Sequence, residues 1–135
     1  MSAMVNSYQQ YRKHDVLMAN PLELIIMLYN GCIKKLKLAD IAIRERNYEV
    51  SNLHLQKAQE IIIELINGLD FKYGIANELM ALYEFINRQI ISVNIKKDAD
   101  GIQPLVEMLA ALRDSWMKVQ KQHKGGAYQA YESES

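Results

Sequence analysis

The sequence predicts an all-α fold: an antiparallel up-down four-helix bundle with an N-terminal lid segment and a disordered C-terminal tail. Apolar residues recur at spacings of three and four across four long blocks, and no useful stretch alternates with period two. Two prolines and six glycines help to divide these blocks. Helices of roughly 20 to 27 residues joined by short links pack antiparallel to their neighbours. The expected organisation is a leader over 1–19, a bundle over 20–122 and a tail over 123–135.

The first helix, expected over about 21–46, opens at Asn20-Pro21-Leu22-Glu23. Asn20 caps free amides, Pro21 sits where a missing donor costs nothing, and Glu23 reaches back toward the cap. Its stripe is Ile25, Tyr29, Cys32, Leu36, Ala39 and Ile43. Asn47 then breaks the chain and caps a second helix over about 48–69, with Leu55, Ala58, Ile62, Leu65 and Leu69 at coiled-coil spacing. Gly68, Asp70 and Gly74 bracket a short connection. A third helix over about 74–97 aligns Leu79, Leu82, Tyr83, Ile86, Ile90 and Val93, and Lys96 and Lys97 suit the negative end of its dipole. After the Asp98-Ala99-Asp100-Gly101 turn, a fourth helix over about 102–122 carries Leu105, Met108, Leu109, Leu112, Trp116 and Val119. Pro104 is tolerated only in its first turn, which places the start between Asp98 and Gln103. The tail from His123 to Ser135 is rich in Gly, Ser and Glu.

With 135 residues, the chain suits one domain and buries enough surface to need no staple. Sixteen basic residues balance sixteen acidic ones, against a general polyanion binder. Lys34, Lys35 and Lys37, and Arg12-Lys13-His14 in the leader, read as solvated clusters, so neither nucleic acid nor membrane is an expected partner. The single cysteine, Cys32, cannot form an internal disulfide and reads as a small buried hydrophobe in a reducing cytoplasm. Residues 1–10 lack the apolar core of a signal peptide, and the best uncharged apolar run, Leu24 to Tyr29, is far short of a membrane span.

Catalytic chemistry has little to build on. His14, His54 and His123 fall in the leader, the second helix and the tail, without metal-ligand spacing. A di-iron bundle would need Glu-x-x-His pairs on two helices, and neither a phosphate-cradling glycine loop nor a nucleophile elbow is present. A non-enzyme without cofactor or metal is expected.

The informative feature is apolar surface beyond what a four-helix core consumes. From Leu22 to Ile33 the first helix is hydrophobic nearly all round, with Leu24 to Tyr29 pointing in every direction, which requires cover on more than one side. The leader supplies Tyr8, Tyr11, Val16, Leu17 and Met18 and folds back as a lid in this reading. On the third helix, Met80, Asn87, Ile91, Asn94 and Ile95 form a second strip turned away from the core positions, and Ile63 on the second helix also falls outside its stripe. Contiguous strips of this kind suit a groove for an amphipathic peptide. Broad core faces with scattered surface aliphatics are the plainer reading. The candidate contacts are Tyr8, Tyr11, Val16, Met27, Tyr29, Ile63, Met80, Tyr83, Asn87, Ile91, Asn94 and Ile95. Met27 and Tyr29 fit either core or groove floor, Leu82 and Tyr83 fit the core first, and Trp116 fits packing better than contact.

Ordered pieces along most of the chain carry a family resemblance. They are Tyr11-Arg12-Lys13 and Val16, Ala19-Asn20-Pro21 before Glu23-Leu24, then Met27-Leu28-Tyr29-Asn30-Gly31, Ile33, Ala39 and Ile43. Ala58, Ile61, Ile62, Leu65 and Leu69-Asp70 follow, then Leu82-Tyr83, Asn94, Asp98, and Leu112-Arg113-Asp114 before Trp116. The sequence resembles the flagellar secretion chaperone family FliS. That family usually places glutamine directly after its leader tyrosine; here Gln9-Gln10 follow Tyr8 and Arg12 follows Tyr11, so the glutamines favour Tyr8 as the match and the spacing to Val16 favours Tyr11. The resemblance implies a cytoplasmic four-helix bundle that binds the disordered C-terminal segment of flagellin, prevents its premature polymerisation and supports its export through the flagellar type III apparatus. It further implies a leader that occupies or vacates part of the apolar site, with an export-gate component and flagellar regulatory proteins as further contacts. The alternative is a helical adaptor whose excess apolar surface mediates homodimerisation.

Overall fold

The computed structural model describes residues 21–134, with side chains as far as Gln122. Four helices are present: α1 (Pro21–Arg44), α2 (Tyr48–Asn67), α3 (Ile75–Lys96) and α4 (Ile102–Glu134), with a 3-10 turn over Ala99–Gly101. No strand occurs among the described residues. The expected four-helix architecture is observed. The leader and the cap at Asn20 lie outside the described residues, as do the tail's side chains from 123 onward. The helical backbone of α4 continues past residue 122 to Glu134.

Local chemistry sets the boundaries. Asn47 caps α2 as expected, its side chain accepting from Val50 N at 3.4 Å. α1 ends two residues earlier than its periodicity suggests because Arg46 adopts a left-handed conformation (φ 60°). Around it, Arg46 N donates to Ile43 O at 2.9 Å and Asn47 N to Ala42 O at 2.8 Å, which is the paired closure of a Schellman ending. α3 ends the same way at Lys97 (φ 52°), with Asp98 N donating to Val93 O at 3.2 Å. Neither residue is the glycine that normally marks such an end. Pro104 falls at the third position of α4, where its missing N–H costs no intrahelical bond.

Packing is uneven. α1 lies against both α2 and α4, α3 packs mainly on α2, and α3 meets α4 only sparsely. The α1–α2 seam is built on small residues. Cys32, Ala39, Ser51 and Ala58 are all buried, and Cys32 Sγ approaches Ala58 O at 3.7 Å. Burial pushes the Cys32 thiol up to about 12. Tyr29, Leu36, Leu55, Ile62, Ile86, Ile90 and Leu109 complete a core that matches most of the expected stripes. Val119, assigned to the fourth stripe, is instead 44% exposed, because the thin contact between α3 and α4 leaves it facing open space. At the opposite end, Arg44 bridges Asp40 at 2.6 Å and Asp100 at 2.9 Å, holding the 3-10 turn beside the end of α1.

The left-handed Arg46 makes a direct prediction, since that conformation disfavours a side chain by roughly 1–2 kcal/mol and glycine's extra unfolded-state freedom offsets part of the gain. Arg46→Gly should raise the free energy of urea unfolding by up to about 1 kcal/mol. Unchanged or lower stability would contradict the conformation.

Candidate functional site: an apolar trough and the α2–α3 seam

The sparse approach of α3 to α4 leaves an open trough of about 890 Å³ at the end of the bundle where α1 begins and α2 ends. Leu22, Ile25 and Leu28 line it from α1, and Leu65 and Leu69 from the end of α2. α3 contributes Ile75, Ala76, Leu79 and Tyr83, and α4 contributes Trp116 and Val119. At the rim Tyr73 of the α2–α3 connection, 66% exposed, and Ile75 at the start of α3 stand open, and Phe71 is exposed in the same connection. Asp70 shapes this connection by accepting from Lys72 N at 3.0 Å. The excess apolar surface at Leu22–Leu28 therefore has a physical destination. One side of α1 meets α2, another meets α4, and part of what remains faces the trough.

A polar trio stands at the floor and wall of the trough, with Tyr29 and Tyr83 buried and Trp116 half-buried. Trp116 Nε1 donates to the Tyr29 hydroxyl at 3.2 Å, and the Tyr29 and Tyr83 hydroxyls share a hydrogen bond. The two phenol rings are tilted by 53° with centroids 6.3 Å apart. Burial first raises both phenol pKa values, so neither hydroxyl ionises near neutral pH. This trio ties α1, α3 and α4 together where direct packing between α3 and α4 is thin.

A second surface follows the α2–α3 seam. Asn94 donates to Asn52 at 2.7 Å, and Gln59 donates to Asn87 at 3.3 Å. Lys97 Nζ donates to Asn94 at 2.6 Å. These amide pairs bind α2 to α3, and aliphatic residues stand beside them: Ile63 on α2, Ile91 (39% exposed) and Ile95 (77% exposed) on α3. The structure thus brings together Ile63, Met80, Asn87, Ile91 and Asn94 around one seam, with Ile95 beside it. Asn87 and Asn94 are engaged in holding the helices rather than standing free.

The remaining candidates separate. Tyr29 has no exposed surface and belongs to the core under the trough, while Tyr83, almost equally buried, lines the trough wall. Met27 is 56% exposed on α1, outside both surfaces. Tyr8, Tyr11 and Val16 lie outside the described residues. Sequence reading did not select Leu65, Leu69, Tyr73 or Ile75 as contacts, nor place Trp116 on a site wall. The available signal was the apolar cluster Phe71, Tyr73 and Ile75 inside a glycine- and aspartate-bearing connection. No group of His, Cys, Asp and Glu able to hold a metal ion occurs among the described residues, and no described helix is long and apolar enough to cross a membrane.

Known proteins are similar to this chain in sequence and in fold. The model of the family "Flagellar protein FliS" matches residues 4–123. The flagellar secretion chaperone FliS of Bacillus subtilis (strain 168) is 35% identical over 123 residues, covering 90% of this chain and 92% of the relative. The FliS chaperone of Vibrio cholerae serotype O1 is 31% identical, covering 86% and 90%. Among solved structures, one titled as a flagellar chaperone from bacteria superposes with a TM-score of 0.74 at 22% identity, covering 87% of this chain and 98% of that one. This last likeness concerns the fold.

The trio yields an ordered prediction. Tyr29→Phe removes the hydroxyl that both the Trp116 N–H and the Tyr83 hydroxyl bond, leaving those two only each other, and should cost about 1–3 kcal/mol in urea unfolding. Tyr83→Phe preserves the Trp116 bond and should cost less. Equal costs, or the reverse order, would contradict the trio.

Proposed function

The chain belongs to the FliS family of flagellar secretion chaperones, and from that membership we propose that its trough and seam receive the disordered C-terminal segment of flagellin. The observation that carries this reading is the open trough, an apolar surface built from four helices and left uncovered by them. An amphipathic segment buries its apolar face against copies of itself unless another surface offers an equivalent site. Each 100 Å² of apolar surface covered contributes about 2.5 kcal/mol before ordering costs. Folding the guest on binding consumes several kcal/mol of that, which suits a complex that must later release its cargo. Held this way, flagellin stays unpolymerised in the cytoplasm until export, and an export-gate component and flagellar regulatory proteins are further contacts in this reading. No catalytic step is involved.

Tyr8, Tyr11 and Val16 take part as a lid. The leader joins α1 at Pro21, a residue of the trough itself. Its two tyrosines combine apolar area with hydroxyls that remain satisfiable at a wet edge. In the absence of guest the leader covers apolar surface near the start of α1, and guest binding displaces it.

Calorimetric titration with the C-terminal segment of flagellin from the same source tests the main reading. Ile75→Asp at the trough rim, and Ile91→Asp with Ile95→Asp on the seam, should each weaken binding by roughly tenfold or more while leaving helicity intact. Full affinity in either variant would remove that surface from the site. In light scattering the free protein should gain mass only with the segment; a stable dimer without it would favour the adaptor reading. Deleting residues 1–17 should change segment affinity or increase binding of an apolar-surface dye, and no change in either would remove the lid.

A further inference from the structure

The α2–α3 seam carries a repeating pattern. Two amide rungs cross it, Asn94 Nδ2 donating to Asn52 Oδ1 at 2.7 Å and Gln59 Nε2 donating to Asn87 Oδ1 at 3.3 Å. The rungs stand seven residues apart on both helices, which is two turns or about 10 Å. One further step of seven on each antiparallel helix sets Ile66 opposite Met80, both half-buried. Exposed aliphatic side chains fall between these levels, Ile91 between the two amide rungs and Ile63 between Gln59 and Ile66. The seam therefore alternates amide and aliphatic levels and ends, toward the trough, on an aliphatic one.

The core already fixes how α2 sits on α3. Leu55, Ile62 and Leu65 of α2 are buried in one cluster with Ile86 and Ile90 of α3, and sliding either helix would pull that packing apart. The rungs, meanwhile, keep hydrogen-bonding capacity in reserve. A primary amide has two N–H donors and an oxygen that accepts twice. Asn52 Nδ2 and Asn87 Nδ2 donate to no described residue, and Gln59 Oε1 accepts from none. None of these three atoms is fully enclosed, so the reserve lies on the open side of the seam. A guest that covered these amides with apolar groups alone would forfeit their hydrogen bonds to water, whereas a guest amide replaces them.

We infer that the amide rungs set the register of the guest: the bound segment is a helix with Asn or Gln at two positions seven residues apart, each joining one rung, and with apolar side chains between them that meet Ile91 and Ile63. The Gln59–Asn87 rung offers a donor and an acceptor side by side, which neither a carboxylate nor an ammonium satisfies alone and a side-chain amide does. A polar residue at one level of a helical seam penalises every shifted register, at some cost in affinity. Sliding the guest by one turn would lay aliphatic side chains over the rungs and guest amides over Ile63 and Ile91. This inference rests on the seam receiving the flagellin segment, as proposed above, and adds the chemistry by which the seam recognises it.

Calorimetric double-mutant cycles on the full chain test the register, with the C-terminal segment of flagellin from the same source as the probe. The unmodified protein, Asn87→Leu and Asn52→Leu are each titrated with the unmodified segment and with segments carrying single Asn→Leu or Gln→Leu changes. Asn87→Leu should weaken binding of the unmodified segment at least about fivefold, and a change at one segment position should add no further loss in that background, a coupling of about fivefold or more. Asn52→Leu should couple in the same way to a second segment position seven residues from the first. Coupled positions at any other separation, or none in a segment that binds, would overturn the register and leave the binding surface standing; a segment that does not bind the unmodified protein would overturn both. If Asn87→Leu loses helicity, Gln59→Leu breaks the same rung from the other helix and takes its place.

Discussion

The arrangement depends on the first helix being apolar on more sides than one neighbour can cover. A helix of that kind gains most where it is flanked on several sides, so α1 takes a position between α2 and α4. Small residues let α2 approach closely, with Cys32 and Ala58 in contact across the seam. Once α1 is placed there, α3 packs on α2 and touches α4 little. The trough follows from this unequal packing, since contacts that run in series from α4 through α1 and α2 to α3 do not close where α3 faces α4.

Polar contacts stabilise the open arrangement without closing it. The Tyr29, Tyr83 and Trp116 trio sits below the trough and links three helices through two hydrogen bonds. The amide pairs Asn52–Asn94 and Gln59–Asn87 do similar work on the seam. Both sets leave nearby aliphatic side chains outside. Fixed hydrogen bonds beside uncovered apolar surface give a guest a defined shape to meet, because the wall does not have to order itself on binding.

Much of the fold was legible because its signals are local. Asn47 as a cap, Pro104 within a first turn and the apolar spacings each act within a few residues. Helix ends were less legible, since Arg46 and Lys97 adopt a conformation that glycine usually announces. The excess apolar surface could be read, but not its destination. The strip Met80, Asn87, Ile91 and Asn94 follows from periodicity on one helix, whereas the trough combines the ends of four elements. Its floor joins residues 54 and 87 positions apart, a distance that no sequence window spans. The burial of Glu64, 2% exposed on α2, was also out of reach, because a charged residue on a helix reads as solvent-facing.

Cys32 bears on how copies of this protein can associate. With the thiol pushed up to about 12 by burial, the thiolate is a negligible species at neutral pH, and the cysteine has no exposed surface. Exchange with another disulfide or attack by an oxidant needs that anion within reach. A disulfide between folded copies is therefore closed off, and any association between them must rest on noncovalent contacts.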